Sequence, residues 1–246
     1  VKLAQVAACL ATAAGLVTAA SVATSPPPAP NLVRVLEGRY ENRELADGRV
    51  VGEERFRLSV YADGSRSLTI WNDLAARASH MIVQLAVDAE FRPLEAYARY
   101  WSAAKHRGSA WLRLDGGNLR LESSAGGTPH SEVLAAPERF SLGTHPVSGD
   151  GWHVAAATFA AGRATARTFT LDPSGDASQP LRGKFGDLAI ERLAEEQIDV
   201  PAGRFEAVRY RLAGISEYWV FGADSLVARA QIRSREYVLT ELHTIK

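Results

Sequence analysis

The stretch Thr144-His145-Pro146-Val147-Ser148-Gly149-Asp150-Gly151-Trp152-His153 gathers two histidines and an aspartate on one glycine-loosened loop. Histidine titrates near neutrality, and a neighbouring carboxylate can orient or ionise its ring. His145, Asp150 and His153 are therefore the candidate acid and base of an enzyme that works without a cofactor. The same side chains could begin a zinc site. Such a site needs a third or fourth ligand at fixed spacing, however, and neither a His-Glu-x-x-His motif nor a paired-histidine motif occurs, so no metal is expected. A plainer reading makes Asp150 the cap of a short helix over Gly151 to Ala161, its carboxylate accepting the free N–H groups of the first turn. Gly-x-Ser-x-Gly and Gly-x-Gly-x-x-Gly are absent, which removes the common hydrolase and nucleotide readings and implies no cofactor. Glu191, Glu195, Glu196 and Asp199 lack a calcium-loop pattern and read as a solvated strand face.

A second set is aromatic. Trp71 falls in phase with Ser67 and Thr69, Tyr97 and Trp101 with Glu95 and Arg99, and Trp111 with Arg113. A plainly solvated face has no need of such rings. Trp71, Tyr97, Arg99, Trp101, Trp111 and Arg113 are the candidate ligand-binding residues, because small-molecule sites are mostly apolar and aromatic with a few placed polar groups. The competing use of the same rings is as cross-strand pairs, worth up to about 1 kcal/mol each.

These residues sit in a chain of short alternating runs. Ala46-Asp47-Gly48-Arg49, Ala62-Asp63-Gly64-Ser65 and Asp115-Gly116-Gly117-Asn118 are hairpin turns. They separate strands predicted over Val33 to Leu45, Val50 to Tyr61, Arg66 to Trp71, Met81 to Asp88, Phe91 to Trp101, Ala110 to Leu114 and Leu119 to Glu122. Further on, Phe205 to Leu212, Tyr218 to Phe221, Ser225 to Arg233 and Arg235 to His243 form another meander. Phe56, Leu58 and Val60 oppose Arg55, Arg57 and Ser59, and Leu226, Ala228, Ala230 and Ile232 oppose Val227, Arg229, Gln231 and Arg233. The expected fold is mainly β: a single antiparallel meander sheet forming a half-barrel or barrel, with one short helix.

The first thirty residues read as an address. Val1 to Ala23 is an Ala-rich apolar run after Lys2 with small residues at Ala20 and Ala23, the pattern of a cleaved signal peptide, and 24–31 is a Pro-rich linker. The β domain is then 32–246, periplasmic or secreted, with no stable membrane insertion after cleavage. Cys9 lies in a weak lipobox-like context, and its loss would leave no thiol for disulfide, metal or nucleophile. Lys and Arg total 28 against 28 Asp and Glu, a balance that gives no electrostatic reason to expect nucleic acid as a partner.

Ile198-Asp199-Val200-Pro201-Ala202-Gly203-Arg204-Phe205-Glu206-Ala207, with Tyr218-Trp219-Val220 and Leu226-Val227-Ala228-Arg229, resembles the C-terminal half of a broad group of uncharacterised secreted bacterial β proteins. Phe91-Arg92-Pro93-Leu94-Glu95-Ala96 is similar to that group's strand crossing a sheet edge. The group is related in architecture to the lipoprotein carriers of the Lol system. The resemblance implies a lipid-accommodating concavity, hence a lipid or other apolar small molecule bound in the hollow of the sheet. The other functions to weigh are the cofactor-independent enzyme, with its histidines at the mouth of the hollow, and a structural envelope module that binds another protein.

Overall fold

The computed structural model describes residues 31–75, 78–102, 107–125, 127–172 and 179–246, and the signal expected over 1–23 and the linker expected over 24–31 lie outside them apart from Asn31. The first described strand lies in the middle of one sheet. From β1 (Leu32–Glu44) the chain meanders through β2 (Val50–Tyr61), β3 (Arg66–Leu74), β4 (Ser79–Val87), β5 (Pro93–Ser102), β6 (Arg107–Asp115) and β7 (Asn118–Ala125) to β8 (Thr128–Ala135) at one edge. It then crosses to the opposite edge, where β9 (Ser141–Gly143) pairs in parallel with β10 (Arg163–Asp172). A parallel pair needs a long crossover, which is supplied here by a 3-10 turn at Val147–Gly149 and α1 (Gly151–Ala155). The return runs antiparallel through β11 (Arg182–Val200), β12 (Gly203–Leu212), β13 (Ser216–Phe221) and β14 (Leu226–Ile232) to β15 (Arg235–Thr244), which closes on β1. The result is an open, mostly antiparallel sheet of 15 strands.

Strand alternation dictates which face is dry. Phe56 and Leu58 of β2, Leu68 and Ile70 of β3, Val83 and Leu85 of β4 and Leu119 and Leu121 of β7 join one buried cluster. That cluster also takes Phe169 and Leu171 of β10, Tyr218 and Val220 of β13, and Phe140, Val147, Trp152 and Val154 of the crossing segment. One segment can touch strands from both halves only if the sheet curls around it. Gly38 permits part of the curl: it lies directly opposite Phe56, and a Cβ there would sit 2.4 Å from the Phe56 ring.

Three expectations are corrected. The helix stops at Ala155, well short of Ala161, because Ala160 turns back to bridge with Arg163. β8, β9 and β10 lie outside the predicted runs, and the strand read over the acidic stretch extends to the 19 residues of β11. In β14 a bulge opposite Trp219 and Val220 breaks the phase: Val227 turns into the main core, while Ala228 joins Ile198, Ala207 and Trp219 in a separate small cluster.

Candidate functional site

The inner face carries a polar clasp that fastens the crossing segment. Glu54 occupies an inward position of β2, one step before Phe56, and is 1% exposed. Its carboxylate accepts the N–H of Ser148 at 2.8 Å, the Ser148 hydroxyl, the N–H of Val147 at 3.2 Å and Asn72 Nδ2 at 2.6 Å. Burial raises the Glu54 pKa and these donors pull it back. A lone acid at an inward strand position was the sequence signal for this residue, and periodicity alone passes over it.

Asp150 does not cap α1, since no side-chain bond to the helix forms. Its Oδ2 instead accepts the Tyr218 hydroxyl at 3.0 Å, which pins the loop to β13. Burial holds its pKa well above the ordinary carboxyl value, and the nearby Glu54 charge adds to the rise. His153 Nδ1 lies 2.7 Å from the Ser141 hydroxyl, and its Nε2 lies 3.7 Å from Asp150 Oδ1. Burial lowers the His153 pKa to about 4, so ring and carboxyl are both pushed toward neutrality and their contact is no strong ion pair. Ser141, His153 and Asp150 thus follow one another as nucleophile, base and orienting acid would. Ser141, however, is 2% exposed and its hydroxyl is also engaged by Thr168 at 3.0 Å, which leaves a substrate no approach. The arrangement holds structure together.

His145 parts from this group. Its Nε2 lies 3.0 Å from the Leu171 carbonyl oxygen and its ring meets Tyr100 edge-on. At the far end of the segment, a Cβ on Gly151 would fall 1.9 Å from the Ser225 carbonyl oxygen, so only glycine lets α1 dock under the β13–β14 turn. There Trp152 Nε1 donates to the Asp224 carbonyl at 3.1 Å, while the Asp224 carboxylate pairs with Arg34 and Arg66. Among the described residues no three His, Cys, Asp or Glu side chains gather as a metal ion would require.

The six residues expected to bind ligand share the opposite, outer face. Tyr97, Arg99 and Trp101 alternate with the buried Ala96, Ala98 and Tyr100 of β5; Trp111 and Arg113 flank the buried Leu112; Trp71 stands between the buried Ile70 and Asn72. Trp71, Tyr97 and Trp111 remain 43%, 38% and 39% exposed. Tyr97 sits directly opposite Trp111, and Trp71 reaches Arg99 through Ile82 of β4. The Arg99 guanidinium lies 4.3 Å from the centre of the Trp101 ring and that of Arg113 lies 5.4 Å from Trp111, whose indole N–H donates to Glu95. The inner space that the sequence reading reserves for a ligand is packed here by the crossing segment, with Phe140, Val147 and Trp152 in the core.

No family model matches the chain, and no curated protein does. The fold and its two faces define a β-barrel-like protein of unknown function. Among solved structures it is similar to the crystal structure of a β-barrel-like protein of the domain of unknown function DUF1849 from Brucella abortus, at 11% identity and a TM-score of 0.51, covering 89% of this chain and 100% of that one. A DUF1089 family protein from Pseudomonas aeruginosa is similar at 15% identity and a TM-score of 0.43, over 71% of this chain and 86% of that one. At 11% identity the Brucella likeness is one of fold alone.

Proposed function

We propose that the protein is a periplasmic or secreted binding protein that takes a lipid or other small molecule by its apolar surface, against the rings of the outer face. The observation that carries this reading is three large rings left more than a third exposed on one face, in a protein whose core is complete without them. The sequence resemblance to secreted bacterial β proteins whose architecture is related to that of lipoprotein carriers supports a lipid as ligand, and the apolar run over Val1 to Ala23 supports the address. Covering a ring contributes about 25 cal/mol per Å² of apolar area removed from water, so two or three rings suffice for a measurable affinity.

The test is a lipid-like fluorescent probe titrated into the protein, with Trp emission as readout. Binding should quench the emission, and Trp101→Ala and Trp111→Ala should each weaken binding while the melting temperature stays close to that of the parent. An unchanged affinity in both variants would remove the ring face as the site. The address is checked separately by N-terminal sequencing of protein recovered from a periplasmic extract, where the first residue should fall near Ser21 or Thr24.

A further inference from the structure

The outer face is uneven where β5 to β8 meet, and the strand register explains why. One cross-strand row reads Tyr97, Trp111, Glu122, Ser131, and the next reads Arg99, Ser109, Ser124, Pro129. Neighbouring strands lie about 4.8 Å apart, so each row presents one side chain per strand in near-regular file. The first row is tall at its ring end. The second is low in the middle, since two serines and a proline cannot rise to the height of an indole. Between them lies a depression of about 540 Å³, lined by Tyr97, Trp111, Ser109, Ser124, Glu122 and Ser131. That volume falls within the roughly 300–1,000 Å³ usual for small-molecule sites.

Resting on the reading that ligand binds the ring face, we propose that this trough is a saccharide subsite, taking one sugar ring of a neutral glycan. Three features select that class. The rings offer flat apolar surface on one side of the trough, which suits the C–H face of a pyranose. The opposite side is a bank of hydroxyls, with Ser109 Oγ and Ser124 Oγ 3.4 Å apart and the Glu122 carboxylate beside them. A ligand that covers these groups must replace the water it strips from them, and sugar hydroxyls can because they both donate and accept. Charge removes one class: Glu122 in the lining disfavours an anion, while the Arg99 guanidinium of the low row lies over the Trp101 ring and leaves the trough to the hydroxyls. His130 also lines the trough, from the edge strand β8, where it lies 3.4 Å from Glu132.

The experiment uses the full protein on an immobilised array of bacterial and plant glycans, followed by calorimetry on any soluble oligosaccharide that scores. The same preparations are titrated with the lipid-like probe. The expected result is binding to neutral glycans that falls at least tenfold in Glu122→Gln and in the double variant Ser109→Val, Ser124→Val, while Arg163→Ala, on β10, binds as the parent does. Melting temperatures within a few degrees of the parent exclude loss of fold as the cause. A silent array with a probe that still binds and still responds to Trp111→Ala overturns the saccharide subsite and leaves the ring face standing. Silence in both assays overturns both. Glycan binding that survives the trough variants places the sugar elsewhere and also overturns the assignment.

Discussion

The inner clasp and the outer ring face use similar residue types in opposite ways. Inside, Glu54, Asp150, His153, Ser141 and Tyr218 are tied to partners, and water is excluded. Outside, Tyr97 and Trp111 stand beside Glu122 and Ser109 with solvent over them. A buried polar group is costly unless it is bonded, so these five groups are spent on holding the crossing segment, although Asn72 Oδ1 beside Glu54 is buried without a partner. The outer groups are already solvated and can exchange water for a ligand at small cost. Candidate chemistry by residue type points to the loop at 144–153, whereas available chemistry lies on the sheet surface.

The sharpest break of this contrast is Glu54→Ala. It leaves the Ser148 and Val147 donors and Asn72 without an acceptor in a dry site, and an expected loss of about 3–5 kcal/mol in denaturant unfolding follows from several such groups at once. A loss under about 1 kcal/mol would show that the clasp is ornamental to the fold.

Next in size are the pH effects, whose signs differ between the clasp members. His153 has its pKa lowered from 6.5 to about 4, so the unfolded chain binds the proton more readily. Stability linked to it is intact above about pH 6.5 and declines as pH falls toward 4. Asp150 is raised from an ordinary 3.8, chiefly by burial. The stability linked to it is therefore present below that value and is lost as pH rises above it. His153→Gln should flatten the acid limb of a melting-temperature profile between pH 6.5 and 4. Asp150→Asn keeps an acceptor for Tyr218 and removes the disfavoured charge, so relative to the parent it should fare better at pH 7 than at pH 4. Parallel profiles for parent and variants would refute the burial argument.

On the outer face the expected stability effects are smaller. Trp111→Ala should cost no more than about 1 kcal/mol, the scale of a cross-strand pair on a sheet surface, yet lower probe affinity at least fivefold. A large loss of stability with unchanged affinity would reassign the ring to structure. Smallest of all, Arg113→Ala should shift the melting temperature barely at all, because its guanidinium lies 5.4 Å from an exposed ring.

Much of the sheet is legible in the chain because the period-2 pattern is local. Val50 to Tyr61 is read to the residue, and alternation with Ala96, Ala98 and Tyr100 puts Tyr97, Arg99 and Trp101 on one shared face, although the sequence reading made that face the wall of the hollow and the structure turns it outward. The second half is harder to read. Arg182 to Val200 carries charges on a largely exposed strand, so its hydrophobic signal is weak, and the extra residue at Ala228 inverts a phase that looks regular in one dimension.

By itself the sequence determined the fold class, the hairpin turns and the set of rings that share a face, since each depends on residues a few positions apart. Only the tertiary structure decided which side of the sheet is inside. It set the segment around Trp152 within the curl, so that Glu54 meets Ser148 and Asp150 meets Tyr218 across 94 and 68 residues of chain. It also laid the serines of β6 and β7 beside the rings of β5 and β6 through register across strands. Such contacts depend on how the whole sheet curls and pairs, a sum over long-range packing that no local pattern encodes.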